Sequence, residues 1–258
     1  MAVEAAHRQE PPPSIRQIER RAAAAWPASI TEECGGWLLR HSPGVGRQRC
    51  NSALPPVPYV GGVERVERFY GERDMPTRIQ VSPAEYHGEL DASLASRGYR
   101  RTGETSVLTA ATEDVAAAAS VRAAASVQVG LTGTPGPWLG VFAELDGHDD
   151  SAAVGEEVLS RIASPAAFLS VVLDGRPRGM GLFVAERGWA GVFCMATAPG
   201  ERRRGVATAV LGAGARWARD QGAARLYLQV ERDNEAAVRL YTRAGFTHSH
   251  TYHYRIRP

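Results

Sequence analysis

The order strand, arginine-rich turn, glycine, helix near the C-terminus constrains this chain more than any other feature. Trp189 to Thr197 reads as a strand, and Arg202, Arg203, Arg204 and Gly205 follow it after a short turn. Gly205 to Asp220 then reads as a helix. Its Val206, Val210, Ala213 and Trp217 make one apolar stripe that would seat it on a sheet. A helix start exposes unpaired backbone N–H groups and the positive end of the helix dipole. An anionic phosphate is held well there, especially where a glycine leaves the backbone bare and arginines stand beside it.

A second helix opener lies one strand further on. Arg225 to Val230 reads as a strand and Asn234 to Ala244 as a helix with Asn234 at its N-cap. Ala237, Leu240 and Ala244 form its packed stripe. Tyr241 falls beside that stripe, which suits a core aromatic as well as a site residue. Thr247 to Ile256 is a final strand. Upstream, Val127 to Leu131 reads as a strand and Ala152 to Ile162 as a helix. Phe168 to Leu173 and Arg178 to Ala185 read as strands joined around Asp174-Gly175, a hairpin signal.

The first half repeats this theme loosely. Ser14 to about Ala25 reads as a helix, Gly36 to Arg40 and Gln48 to Leu54 as strands, and Val63, Val66, Phe69 and Tyr70 recur at helical spacing. Arg78 to Val81, Glu89 to Ser96 and Thr105 to Thr109 read as strand, helix and strand. Leu94 to Tyr99 echoes Leu240 to Phe246, since each closes a helix on Gly, adds an aromatic and enters a strand. This predicts a unit over residues 14–110 that is a diverged copy of a unit over 127–258. Residues 1–13 are expected as a tail, and the Ala-rich residues 111–126 as a connecting helix or a flexible tether.

Arg202-x-x-Gly205-x-Ala207 matches an acetyl-CoA loop written Gln/Arg-x-x-Gly-x-Gly/Ala. Asn234, Ala237, Tyr241, Gly245 and Phe246 match Asn-x-x-Ala-x-x-x-Tyr-x-x-x-Gly-Phe. In this order and separation they resemble the GCN5-related N-acetyltransferase (GNAT) superfamily, well over about residues 127–258 and loosely before. The resemblance implies an α/β (α+β) GNAT fold, a mixed, mostly antiparallel sheet flanked by helices, here as two tandem GNAT-like domains. It also implies an enzyme that moves acetyl from acetyl-CoA to a primary amine by direct attack. Arg202, Arg203, Arg204, Gly205, Val206, Ala207 and Thr208 would hold the diphosphate, with Asn234, Ala237 and Tyr241 completing the cofactor side. The strand is expected to splay from its neighbour near Met195 and Ala196. Backbone N–H groups of Met195, Ala196 and Thr197 would there polarise the thioester carbonyl and line the pantetheine arm. Tyr241 would protonate the departing thiolate.

The general base is less legible. Some members carry Glu five residues before the Asn, where this chain has Gln229, an amide that takes no proton. Glu231 shares its strand face and is the first candidate; Glu186 and a water relay are alternatives. Glu231 equally suits a solvated strand end. In the first half, Asn51-Ser52-Ala53-Leu54-Pro55-Pro56 stands where the loop would be, which predicts packing, a wall of the acceptor site and no CoA. His248 and His250 lack a third ligand, so no metal is expected; by resemblance they border the acceptor cleft, with His253 opposite. Cys194 reads as a small buried hydrophobe.

Bulk properties narrow the rest. The 258 residues carry a net charge of +2, too small to argue for nucleic acid or a membrane surface, and every one of the 30 basic residues is Arg. Three scattered cysteines do not make a disulfide framework, and no signal-like or membrane-length apolar run is present. A cytoplasmic monomer or homodimer is expected. A small-molecule amine is the favoured acceptor because an extra domain could enclose a cleft. A peptide or protein N-terminus is the runner-up, and a non-catalytic acetyl-CoA-binding regulatory module is the reading from another class.

Overall fold

The computed structural model describes residues 13–122, 127–163 and 165–258. The first half runs α1 (Pro13–Ala25), β1 (Ile30–Cys34), β2 (Trp37–His41), β3 (Ala53–Leu54), α2 (Val63–Gly71), β4 (Thr77–Val81), α3 (Gly88–Ser96) and β5 (Arg100–Ala111). Next come α4 (Thr112–Arg122), β6 (Gly130–Thr132), α5 (Leu139–Leu145) and α6 (Ser151–Glu157). The second half then continues as β7 (Ala166–Leu173), β8 (Arg176–Glu186), β9 (Trp189–Thr197), α7 (Val206–Asp220), β10 (Arg225–Glu231), α8 (Glu235–Arg243) and β11 (Thr247–Arg257).

All these strands join one 11-stranded sheet in the order β1-β2-β3-β4-β11-β5-β10-β9-β8-β7-β6. Among the described residues the ladders are antiparallel except β3–β4 and β9–β10. The centre of the sheet is an exchange. β5, from the first half, pairs with β10 over Thr105–Ala111, while β11, from the second half, pairs with β4 over Thr77–Val81. β5 and β11 pair with each other between them. Each half therefore borrows the other's last strand.

Alternation along β10 shows how the sheet divides its cores. Leu226, Leu228 and Val230 face Val206, Val210 and Ala215 of α7, whereas Tyr227 faces Trp26, Phe193 and the α5–α6 side. A third cluster, with Trp37, Val66, Phe69, Leu90 and Leu94, lies under α2 and α3. The Gly212-Ala213-Gly214 run is a packing device within α7. A Cβ at Gly212 would stand 2.5 Å from that of Ala119 in α4, and one at Gly214 would enter the Phe183 ring.

Three expected elements differ. Gln48 to Leu54 forms a 3-10 turn at Gln48–Cys50 and a strand only at Ala53–Leu54. The Asn51 amide causes this, accepting from the Ser42 N–H and donating to the Val45 carbonyl. The helix expected from Ala152 to Ile162 stops at Glu157, where Val158 leaves helical geometry at φ −125. The strand expected at Val127 to Leu131 is Gly130–Thr132. The tail expected over residues 1–13 lies outside the described residues up to residue 12, and so do residues 123–126 of the Ala-rich run. The rest of that run is α4, packed on α7.

Candidate active site

The β9–β10 ladder runs from Trp189↔Arg225 to Val192↔Leu228 and stops. The splay therefore opens at Phe193 and Gln229, ahead of the expected Met195 and Ala196. The cause is a bulge on the other side of β9, where Met180 pairs with Ala196 but Leu182 with Phe193. Cys194 takes a left-handed φ of 50 at that bulge, a strained conformation for a residue with a Cβ. Gly181 makes room for it, because a Cβ there would lie 2.7 Å from the Met195 sulfur and 2.8 Å from Val210. Beyond Val192 the backbone groups of β9 have no ladder to β10, and Met195, Ala196 and Thr197, each partly exposed, follow on that unpaired edge.

The turn into α7 is shaped for an anion. Arg203 and Gly205 both have positive φ, 63 and 82, and Gly205 N-caps α7 without any side-chain cap. The first-turn N–H groups, at Val206, Ala207 and Thr208, are thus left without an intramolecular cap. Glu201 holds the turn in place, with Arg178 at 3.2 Å and Arg204 at 3.4 Å. Arg202, Arg203 and Arg204 are exposed around the opening. A bare glycine, uncapped N–H groups and three exposed guanidinium groups fit a diphosphate.

α8 packs its Tyr241 into the core shared with α7 and β10. Asn234 Oδ1 accepts from the Ala237 N–H at 3.1 Å, a side-chain N-cap. Tyr241 is buried in the core cluster that also holds Val206, Val210 and Leu228, with Met195 and Ala237 packed against it. Its ring meets Phe246 at 5.8 Å. Burial holds its phenol above the ordinary tyrosine range, so Tyr241 keeps its proton at neutral pH.

The two carboxylate candidates for the base part company, and Gln229 holds the position where some family members carry Glu. Gln229 lies just past the last β9–β10 pair, with its Oε1 buried and unpartnered. Glu231 ends β10 on the same face, exposed and opposite Thr105. Glu186 pairs with Trp189 at the other end of β9, roughly 13 Å along the strand from Phe193. Glu186 is therefore not in this site. A cavity of ≈ 740 Å³ lined by Glu186, Arg187, Glu19, Arg20 and Arg21 lies at that far end too, away from the splay.

The sheet face opposite Tyr241 carries an aromatic wall. Phe193 stacks on Trp26 at 5.9 Å and meets Tyr227 edge-on at 6.2 Å, and the Arg49 guanidinium sits 5.5 Å from its centroid. Burial pushes the Cys194 thiol up to about 12, so it is no nucleophile at neutral pH. Of the two histidines expected along this cleft, His248 is exposed, and the β11 bulge between them turns His250 elsewhere. His250 is buried against Glu19 at 2.5 Å, and His253 lies 2.5 Å from Asp91. Nothing in the Gly44 to Cys50 stretch marks Arg49 as a site residue; only the fold carries that loop across to β9.

Residues 140–246 match the family described as "Acetyltransferase (GNAT) family", and residues 13–128 match one described as "Probable histone acetyltransferase Rv0428c C-terminal". The second half thus carries a GNAT acetyltransferase domain, and the chain is an acetyl-CoA-dependent acyltransferase. It is 29% identical over 246 residues to "Uncharacterized N-acetyltransferase YobR" of Bacillus subtilis strain 168, covering 94% of this chain and 98% of that one. The fold is similar to a GCN5-related N-acetyltransferase from Kribbella flavida, with TM-score 0.64, 16% identity, and 93% and 95% of the two chains covered. A tandem GNAT protein from the clavulanic acid biosynthesis pathway gives TM-score 0.62, 12% identity, and 93% and 87%. Among the described residues no helix is long and apolar enough to cross a membrane.

Proposed function

We infer that the protein acetylates the primary amine of a small molecule at a single acetyl-CoA site, by direct attack on the thioester. The observation that carries this is the convergence of the splay at Phe193 and Gln229, the uncapped start of α7 and the protonated Tyr241. Arg202 to Thr208 bind the diphosphate, and Met195 to Thr197 line the pantetheine arm. Backbone N–H groups at the β9 bulge orient and polarise the thioester carbonyl. As the C–N bond forms and the C–S bond breaks, Tyr241 gives its proton to the sulfur. Glu231, through water, takes the proton from the amine. The protonated Cys194 supports direct transfer over a cysteine-bound acetyl group.

The first unit, residues 14–110, supplies a wall of the acceptor side through α1 and the loop bearing Arg49, and holds no CoA. Where α7 has its open start, α2 has Gly62 with Trp37 packed against it, the indole donating to the Gly61 carbonyl at 2.8 Å. A protein amine is the competing acceptor, favoured by the histone acetyltransferase description of the family matching residues 13–128. A panel of small amines and unstructured peptides, each incubated with acetyl-CoA and read by free thiol, separates the two. Thiol release that follows only peptides would replace the small-amine reading, and none with any acceptor would leave a binding module. Glu231→Gln should depress kcat/KM most at low pH; an unaltered pH–rate profile removes it as the base.

A further inference from the structure

Arg49 is the one guanidinium described on the acceptor face of the splay that no carboxylate neutralises. Its neighbour Arg47 is fully engaged, bonded to Asp146 and, at 2.8 Å, to Asp150. No Asp or Glu pairs with Arg49 among the described residues. The groups acting on it are the hydroxyls of Tyr252 and Tyr254 and the Cys194 thiol, and it lies over Phe193. Phe193 and Cys194 are the residues at which β9 bulges and leaves β10. A half-buried guanidinium set among aromatic rings and phenols, with no carboxylate paired to it among the described residues, is placed to take an anion from a ligand.

The same face offers a second unsatisfied group. Gln229 Oε1 is buried and accepts from nothing. The register sets Gln229 beside Val107 on β5, and Tyr252 beside Thr105 on the same strand, against β11. Gln229 and Tyr252 are thus two strands apart, roughly 10 Å across the sheet. An amide oxygen without a donor and a cation without a carboxylate thus stand on the same face of the sheet, beside the splay.

We propose that Arg49 binds the carboxylate of the acceptor and that Gln229 receives an N–H of its amine, so that the substrates are small amino carboxylates. This rests on the small-amine reading above. A planar two-oxygen group matches the guanidinium fork. A phosphate would bring a second charge, and Arg47, two residues away on the same loop, is already committed to two aspartates.

The test compares amino acids with their own carboxamides, which keep the amine and remove the charge, in wild type and in Arg49→Met and Arg49→Lys. Wild type should prefer the carboxylates by about 100-fold or more in kcat/KM. Arg49→Met should bring that preference to near unity, mostly through KM for the acceptor, with KM for acetyl-CoA and the melting temperature unchanged. Arg49→Lys should restore part of it. Equal turnover of carboxylates and carboxamides by wild type, or a preference that survives Arg49→Met, overturns the assignment. Calorimetric titration of the same amino acids into the protein with CoA separates this from the acetylation reading. Binding that Arg49→Met abolishes, without any acetylation, supports the carboxylate site and sinks the small-amine activity. Acetylation confined to uncharged amines does the reverse.

Discussion

The two halves of the sheet close their last helices in the same way and do different things with them. After α8, Gly245 takes φ +97, its N–H reaches the Thr242 carbonyl at 3.1 Å, and the Phe246 N–H reaches Tyr241 at 3.0 Å. After α3, Gly98 takes φ +82, its N–H reaches Ala95 at 3.0 Å, and the Tyr99 N–H reaches Leu94 at 3.0 Å. These are the same paired hydrogen bonds at a left-handed C′ glycine. Backbone for backbone, Leu94 stands where Tyr241 stands. The helix starts diverge likewise, since Gly205 opens onto arginines and solvent and Gly62 onto the Trp37 ring. The scaffold is shared, and a few side chains decide which copy has an open anion site and an ionisable residue beside it.

Exchanging that one side chain should give the largest effect. Tyr241→Phe is expected to lower kcat about 100-fold or more with little change in the melting temperature, since the ring and its Phe246 contact remain. Full turnover at every pH would show that Tyr241 is not the acid. Leu94→Ala, its counterpart, should cost about 3 kcal/mol of stability in urea titration and leave KM for acetyl-CoA within twofold.

The two helix starts offer a smaller contrast. Gly205→Ala should raise KM for acetyl-CoA about tenfold, because a Cβ forces the turn out of its left-handed conformation. Gly62→Ala carries a similar strain and should lower stability by about 1 kcal/mol, without touching that KM. An increase in KM from Gly62→Ala would mean that the first half holds CoA after all.

The strand exchange gives the smallest. Asp91 on α3 accepts from Arg255 at 2.7 and 2.9 Å and contacts His253, joining the first half to β11. Burial pushes its carboxyl up, but Arg255 and His253 outweigh it and hold the pKa at about 2. A depressed carboxylate stabilises the fold above its unfolded pKa, about 4, and loses that contribution as pH falls toward the folded value. Asp91→Asn should therefore cost about 1–2 kcal/mol near neutral pH, with the gap to wild type narrowing below about pH 4. Urea midpoints across that range check it, and a gap independent of pH would assign the loss to packing instead.

Much of this was readable along the chain. Arg202 to Ala207 and Asn234 to Phe246 are local: a helix start, a cap, a C′ glycine and an apolar stripe each depend on neighbours a few residues away. They declare the uncapped helix start, the Asn234 cap, the place of Tyr241 and the repeat at Leu94 to Tyr99 without knowledge of the fold. What the chain could not declare is non-local. The splay begins at Phe193 because of a bulge that depends on Gly181, on the adjoining strand. Glu186 leaves the site because antiparallel register carries it to the far end of β9, and His250 leaves it because a bulge turns it toward Glu19. Arg49 joins the acceptor face only because an interlocked sheet lays a loop of the first half across the second. Local rules fixed which helices start and stop, and therefore where an uncapped, arginine-flanked helix start stands. Which distant side chains meet across the slot depends on strand register and exchange, and these are settled only when the whole sheet packs.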